Sequence, residues 1–289
     1  MSGPGRTPFD SLVLSLSPFD GAQGDPEALE GSKGELAQGK ARVRPYEQMC
    51  DMRVLALDTT TRAGSVALVH DDRIVEERRG DETHTHAERL PRELIALAGA
   101  HALALADVDV FAVASGPGSF TGLRIGIASV QGLALVTRRA VAAVPALDAL
   151  AHVASVSASE GSVIAAWMDA RRHEVFTALY RVSSAPVFDV ARLTTLDPPS
   201  VGDAAATLAR WRESLPEPSV FIGDGATMYA DAITRHSPAA AILRAPILAG
   251  AIGRLAIAQA RMGTTVDAGG IRPLYVRRPD VELTRDRRE

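Results

Sequence analysis

The chain has 289 residues, of which 46% are apolar and 23% are charged, and this composition is typical of a globular protein with a buried core. The formal net charge of −4 and an isoelectric point near 6.0 give no electrostatic signature of a protein that binds nucleic acid by itself. The single cysteine, Cys50, excludes an internal disulfide and a cysteine-based zinc site. Because no apolar run approaches the roughly 20 residues of a bilayer-spanning helix, we expect a cytoplasmic protein without a membrane partner.

The first 51 residues differ from the rest of the chain. Many Gly and Pro residues interrupt them, and their one short apolar run, Leu12–Leu16, is too small for a core element. We therefore predict a disordered N-terminal extension over residues 1–51. Met52 directly precedes the first regular strand pattern, which raises the hypothesis that translation begins there.

A first α/β half is predicted over residues 52–158. The runs RVLALD, GSVALVH and RIVEERRG predict three successive strands joined by short turns. Leu90 and Leu94 recur at helical spacing in the segment that follows, which predicts a helix. DVFAVAS then predicts a strand buried on both faces, followed by a glycine-rich loop and a long helix from about Ser119 to Val136.

A second half, residues 159–289, repeats this pattern and ends in a basic C-terminal tail. SVIAAWMDA, the turn RRH and EVFTALYR again form strand, turn and strand, with Asp169 in the position that Asp58 holds in the first half. SVFIGDG is a short strand that runs into a glycine turn, and helical patterns follow it. The connection over residues 183–218, with five prolines, is predicted to be irregular. The repeat indicates two similar halves whose hairpin turns face a shared cleft.

The glycine-rich loop SGPGSFTGLRIG is the first candidate site. Gly116, Gly118, Ser119 and Thr121 place backbone N–H groups at the start of a helix, where an anion binds well. The loop lacks the Gly-Lys-Ser/Thr of a nucleotide-binding P-loop, and its glycines are not spaced as in a dinucleotide fingerprint. It also lacks the G-x-S-x-G of a nucleophile elbow. An anion cradle and a tight strand-to-helix turn therefore both remain open.

The helix after this loop carries a stripe of small residues at Gly122, Gly126, Ser129 and Gly132. A glycine inside a helix costs about 1 kcal/mol relative to alanine, so a close contact must compensate for three of them. That contact is either with the protein's own sheet and neighbouring helix, or with a helix of a second molecule.

The residues most similar to those of an ATPase site are in the two hairpin turns. Asp58 and Asp169 resemble the acidic residues that position Mg²⁺-bound water near a nucleotide in the actin and sugar-kinase superfamily, but the second turn, DARRHE, has no glycine that would let backbone amides approach a phosphate. Gly223 and Gly225, in the later GDG turn, resemble a reduced form of the glycine-rich turn that this superfamily uses near adenosine. We therefore expect at most weak binding of ATP or ADP and no efficient hydrolysis.

No metal site is predicted. His84 and His86 are two residues apart, and on a helix this spacing points their side chains about 200° from each other. The chain also lacks the H-E-x-x-H pattern of a metallopeptidase.

Four motifs together resemble one family. LALDTTTRAGSVAL, GPGSFTGLRIGIASVQGLAL, MDARRHEVF and FIGDGATMY, in this order and spacing, are similar to the TsaB (YeaZ) family of bacterial tRNA-modification proteins. The resemblance covers roughly residues 52–280. It implies a duplicated RNase H-like fold of the actin, Hsp70 and sugar-kinase superfamily.

The resemblance also implies a function. TsaB proteins take part in making N6-threonylcarbamoyladenosine at position 37 of tRNAs that read ANN codons. The related partner TsaD performs the transfer and carries two metal-binding histidines four residues apart, whereas this chain's histidine pair does not match that spacing. The resemblance thus implies a non-catalytic subunit that binds a TsaD homologue, is joined by the ATPase TsaE, forms a homodimer when alone and meets tRNA through the complex.

In TsaB proteins the two helices of the first half form the partner surface, so the resemblance implies an interface at Leu90, Leu94, Ser119, Phe120, Gly122, Leu123, Gly126, Ser129 and Gly132. The positions matching the superfamily's nucleotide contacts are Asp58, Thr59, Thr60, Gly116, Gly118, Asp169, Gly223 and Gly225. The alternatives are an active kinase or ATPase of the same fold and, less supported by the residues, a peptidase.

Overall fold

The computed structural model describes residues 51–61, 63–81 and 85–277. Residues 1–50 of the predicted N-terminal extension, His84 and the part of the basic tail beyond residue 277 lie outside the described residues, whereas Asp51, the last residue of that extension, is described.

The first half contains the strands and helices that its sequence predicts, and one further strand and one further helix, which the sequence does not predict, follow them. Its elements are β1 (Arg53–Asp58), β2 (Ser65–His70), β3 (Arg73–Arg79), α1 (His86–Ala100), β4 (Val110–Gly116), α2 (Phe120–Thr137), β5 (Ala140–Pro145) and α3 (Ala146–Ala154). Ser119 caps α2, because its Oγ accepts a hydrogen bond from the Gly122 amide at 3.2 Å. The strands form one sheet in the order β3-β2-β1-β4-β5, with the first hairpin antiparallel and β1, β4 and β5 parallel.

The second half repeats this arrangement. Its elements are β6 (Val163–Asp169), β7 (Glu174–Val182), β8 (Leu193–Asp203), α4 (Ala204–Ser214), β9 (Val220–Ile222), α5 (Asp224–Met228), α6 (Ala230–His236), β10 (Ala241–Leu243) and α7 (Ala249–Arg261). The sheet order is β10-β9-β6-β7-β8, in which β6 pairs antiparallel with β7 and parallel with β9, as β1 does with β2 and β4.

The prediction that residues 183–218 are irregular is wrong. They include β8, which carries Pro198 and Pro199, and the helix α4. Proline is compatible with β8 because this strand lies at the edge of its sheet, where one side of the backbone has no strand partner. The Asp203 carboxylate caps α4 by accepting a hydrogen bond from the Ala206 amide at 2.9 Å.

The two halves share one central core. The helix α3, from the first half, packs on β6 and β9 of the second sheet, whereas α7, from the second half, packs on β1, β2 and β4 of the first. The start of α7 is fixed by two groups of the first sheet: Ser65 Oγ accepts from the Ala249 amide at 3.1 Å, and the Glu77 carboxylate accepts from the Gly250 amide at 2.6 Å. The division of the chain at residue 158 stays a prediction.

Candidate functional site

The first hairpin turn lies at the cleft between the halves. Asp58 is almost fully buried, and its Oδ1 accepts hydrogen bonds from the Thr60 amide at 2.8 Å and the Thr60 Oγ1 at 2.6 Å. This carboxylate therefore holds its own turn together. Burial raises the pKa of the nearby Glu77, an effect that the Gly250 amide opposes and the Asp58 charge adds to.

A cavity of about 200 Å³ opens beside this turn. Its polar walls are contributed by both halves: Asp58, Thr61, Ser65, Arg79 and Asp224. Pockets that enclose a ligand of nucleotide size usually measure several hundred Å³. As it stands, the cavity fits a group much smaller than ATP.

The second hairpin turn is held differently. Asp169 Oδ1 accepts from the Arg171 amide at 2.7 Å, and the Asp169 amide donates to Asp224 Oδ1 at 3.0 Å. Arg171, Arg172 and His173 all have positive φ, so three consecutive non-glycine residues adopt a left-handed conformation. Asp169 does not line the cavity. Asp224 lines it instead, and sequence reasoning passed over Asp224 in favour of the glycines on either side.

The predicted phosphate-binding glycines are explained by tight packing. A Cβ on Gly118 would lie 2.7 Å from Thr60 Cβ, and one on Gly116 would lie 2.7 Å from the Leu274 carbonyl oxygen. A Cβ on Gly223 or Gly225 would lie 2.9 Å from the backbone carbonyl carbon of Trp167 or Met168, respectively. These four glycines permit close backbone contact within the protein, which favours the strand-to-helix turn over the anion cradle.

The small-residue stripe of α2 faces inward at Gly126, which corrects the predicted partner contact there. A Cβ on Gly126 would lie 2.9 Å from Thr59 Cγ2 and closer still to Thr59 Oγ1. Thr59, the first residue of the first hairpin turn, is fully buried against this glycine. Gly126 therefore lets α2 approach the protein's own sheet.

Four other predicted interface residues are also in the core. Leu90, Leu94 and Leu123 are at most 1% exposed, and Gly122 is buried at the start of α2. The leucine stripe of α1 points towards the sheet because it supplies that helix's core face. These residues stabilise the fold and are not available to a partner.

The opposite face of α2 is exposed and largely apolar, with the exposed polar residues Thr121 and Arg124 near its N-terminal end. Leu135 is 73% exposed, Val136 84% and Phe120 39%, and a Cβ on Gly132 would meet no atom within 4 Å. We define the outer face of α2 as Phe120, Ala128, Gly132, Leu135 and Val136. Of the other predicted interface residues, Ser119 is exposed just before the helix. Ser129 is partly buried, and its Oγ donates a hydrogen bond to the Ile125 carbonyl.

Two further observations concern membranes and metals. By length and composition α2 would be able to cross a bilayer, which sequence inspection did not recognise, but a third of it is buried in this fold against β4 and β1. Within residues 51–61, 63–81 and 85–277, no three His, Cys, Asp or Glu side chains converge to hold a metal ion.

The two sheets, with the same strand order, define a duplicated RNase H-like α/β fold. The family model for TsaD, tRNA N6-adenosine threonylcarbamoyltransferase, matches residues 81–271. Among relatives, the TsaB protein of Haemophilus influenzae is 37% identical over 44% of this chain and 53% of its own length. The TsaB protein of Bacillus subtilis is 30% identical over 62% of this chain and 73% of its own length.

Among solved structures, YeaZ from Pseudomonas aeruginosa is 31% identical, with a TM-score of 0.62, over 78% of this chain and 99% of its own. The match to the Haemophilus relative spans about half of that protein's length, and the structural match spans nearly all of YeaZ. The chain belongs to the TsaB (YeaZ) family, as its motifs predict.

Proposed function

We propose that this chain is a non-catalytic subunit of the cytoplasmic machinery that makes N6-threonylcarbamoyladenosine at position 37 of tRNA. It binds a TsaD homologue, which performs the transfer, and a TsaE homologue joins the pair. When alone it forms a homodimer, and it meets tRNA through the complex. Relatives named as tRNA threonylcarbamoyladenosine biosynthesis proteins support this assignment.

The outer face of α2 is the observation that carries the proposal. Along this helix of 18 residues, the large apolar side chains of Phe120, Leu135 and Val136 are exposed to water. Such surfaces in folded proteins mark sites of association. Gly132 adds a position without a side chain, at which a second helix is able to approach closely. We therefore assign partner binding to this face and not to the inward stripe that the sequence indicated.

The cleft supports a non-catalytic role over the alternative of an active kinase or ATPase. Asp58 and Asp169 are both engaged by the backbone of their own turns, and the glycines beside them are packed against protein atoms. The cavity of about 200 Å³ between Asp58 and Asp224 is smaller than pockets that enclose a nucleotide, so it supports weak binding of ATP or ADP at most. The proposal therefore includes weak nucleotide binding without turnover.

The test is complex formation with the host's TsaD homologue, measured by sizing chromatography and titration calorimetry. Val136→Glu places a charge on the outer face, and we expect it to weaken the complex at least tenfold while leaving the melting temperature unchanged. Val156→Glu is the matched control, because Val156 is also exposed but follows α3. Equal affinity of the two variants, or no complex with the wild type, would contradict the proposal.

A further inference from the structure

An arginine at the N-terminal end of the outer face is held by two aromatic rings. The Arg124 Cζ lies 3.9 Å from the centroid of the Phe120 ring, and its Nε donates a hydrogen bond to the Tyr275 hydroxyl at 3.1 Å. The Tyr275 and Phe120 rings are 5.1 Å apart. Phe120 and Tyr275 are 39% and 40% exposed, so this cluster lies at the surface.

Tyr275 reaches this position because the chain after α7 returns across the first half. Ile271 is buried beside α2, and the Leu274 amide donates to the Ser115 carbonyl at 2.7 Å, at the end of β4. Two residues beyond Tyr275, Arg277 donates to the Ala170 carbonyl of the second hairpin turn at 2.8 Å. Both ends of the segment 271–277 are anchored, which fixes the Tyr275 ring between them.

These contacts orient the Arg124 guanidinium. The Phe120 ring covers one of its faces and Tyr275 engages Nε, while the two terminal nitrogens make no hydrogen bond to any described residue. No carboxylate in the part of the chain that the structure describes pairs with Arg124. A guanidinium held in one place loses little entropy when it binds a planar anion, and its paired terminal nitrogens match the two oxygens of a carboxylate.

We propose that Arg124, oriented by Phe120 and Tyr275, is a receptor for an aspartate or glutamate side chain of the protein partner. The inference rests on the proposed function and specifies the chemistry of one contact in it. A protein carboxylate is favoured over an RNA phosphate because the surface that continues from Arg124 along α2 is aliphatic: Ala128, Leu135 and Val136. The partner surface therefore combines an apolar region with one charged contact at its edge, and the C-terminal segment contributes to it through Tyr275.

The experiment measures the Kd of the full-length chain for the host's TsaD homologue by calorimetry at low and high salt. We expect Arg124→Ala to raise Kd about tenfold and Arg124→Glu to raise it further, since a like charge then faces the carboxylate. Arg124→Lys keeps the charge but loses the paired terminal nitrogens that bind two carboxylate oxygens, so its Kd falls between those of the wild type and Arg124→Ala. Tyr275→Phe keeps the ring and removes the hydroxyl, and we expect a rise of about twofold to threefold. At high salt, the ratio of the Arg124→Ala Kd to the wild-type Kd is smaller than at low salt, because salt screens the charge pair.

Arg212→Glu is the control, because Arg212 is exposed on α4, in the second half. An Arg124→Glu variant that binds the partner as tightly as Arg212→Glu overturns this inference and leaves the proposed function standing. Retained partner binding combined with lost binding of a tRNA transcript, measured by fluorescence anisotropy, also overturns it, in favour of a phosphate contact. Failure of the wild type to bind the TsaD homologue overturns the proposed function and this inference together.

Discussion

The two halves place different helices after the same strand. In the first half the central parallel strand β4 leads into α2, a single helix of 18 residues with an exposed apolar face. In the second half the equivalent strand β9 leads into two short helices, α5 and α6, separated at Tyr229. The same sheet therefore carries different helices in the two halves. After β4 the first half has one helix about 27 Å long, at 1.5 Å per residue, whereas the two helices after β9 are each much shorter.

The largest effect that tests this comparison is expected within α2 itself. Gly126→Arg forces a charged side chain against the buried Thr59, so we expect the free energy of unfolding to fall by about 4 kcal/mol or more. Circular dichroism melting measures this loss.

Gly132→Arg is the matched variant on the opposite face. Its side chain reaches water, so the protein should melt at or slightly above the wild-type temperature while losing partner binding. If Gly126→Arg folded normally and Gly132→Arg did not, the assignment of Gly126 to the inward face and Gly132 to the outer face would be wrong.

The second prediction concerns α3, the first-half helix that packs on the second sheet. Burial lowers the pKa of His152, on α3, to about 4, and the Arg192 charge adds to the shift while Asp189 opposes it. The folded state therefore binds this proton less readily than the unfolded state. As the pH falls from about 6.5 to about 4, the free energy of unfolding should decrease by roughly 3 kcal/mol.

Denaturant unfolding at several pH values measures this slope. His152→Phe, which keeps an aromatic ring against Phe188, should remove it. An unchanged slope in that variant would assign the pH dependence to other groups.

The third prediction compares the two hairpin aspartates. Asp58→Ala leaves the buried Thr60 amide and hydroxyl without their acceptor, at a cost of about 2 kcal/mol. Asp169→Ala removes a capping oxygen from a more exposed turn, at a cost of about 1 kcal/mol or less. Thermal melting of both variants tests the order, and a larger loss for Asp169→Ala would contradict it.

The smallest expected effect is on the rate of ATP hydrolysis. The isolated chain should hydrolyse ATP no faster than a buffer control, because both hairpin turns direct their aspartates to the protein's own backbone. A phosphate-release assay measures the rate. Turnover clearly above the control that disappears in Asp58→Ala would favour the kinase or ATPase alternative.

The sequence predicts the strands, the repeat and the family because each leaves a local or ordered pattern. It does not decide which side of α2 faces outward, since glycine is selected by any close approach, whether to Thr59 of the same chain or to a second molecule. Gly126 and Gly132 look alike in the sequence and differ only once α2 is docked on its sheet. Exposure of Leu135 and Val136, which identifies the outer face, likewise depends on tertiary packing.

Three other features escaped prediction for physical reasons. The prolines of β8 obscured a strand that lies at a sheet edge, where proline is tolerated. Asp224 reaches the cavity because the glycine turn after β9 comes beside the first hairpin, a contact between residues far apart in the chain. The C-terminal segment with Tyr275 shows the same limit, because nothing near it in the sequence indicates that it returns to Phe120.

The exchange of α3 and α7 between the halves has a consequence for biosynthesis. The hydrogen bond from Ala249 to Ser65 joins residues 184 positions apart, and α7 covers β1, β2 and β4. At ribosomal rates, β4 emerges on the order of ten seconds before α7 is complete. During that interval α3 is able to pack on β4 and β5, but β1 and β2 lack the helix that covers the same face in the folded protein. The first half is therefore expected to depend on chaperones or remain loosely packed until the second half arrives, which makes the two halves a single folding unit.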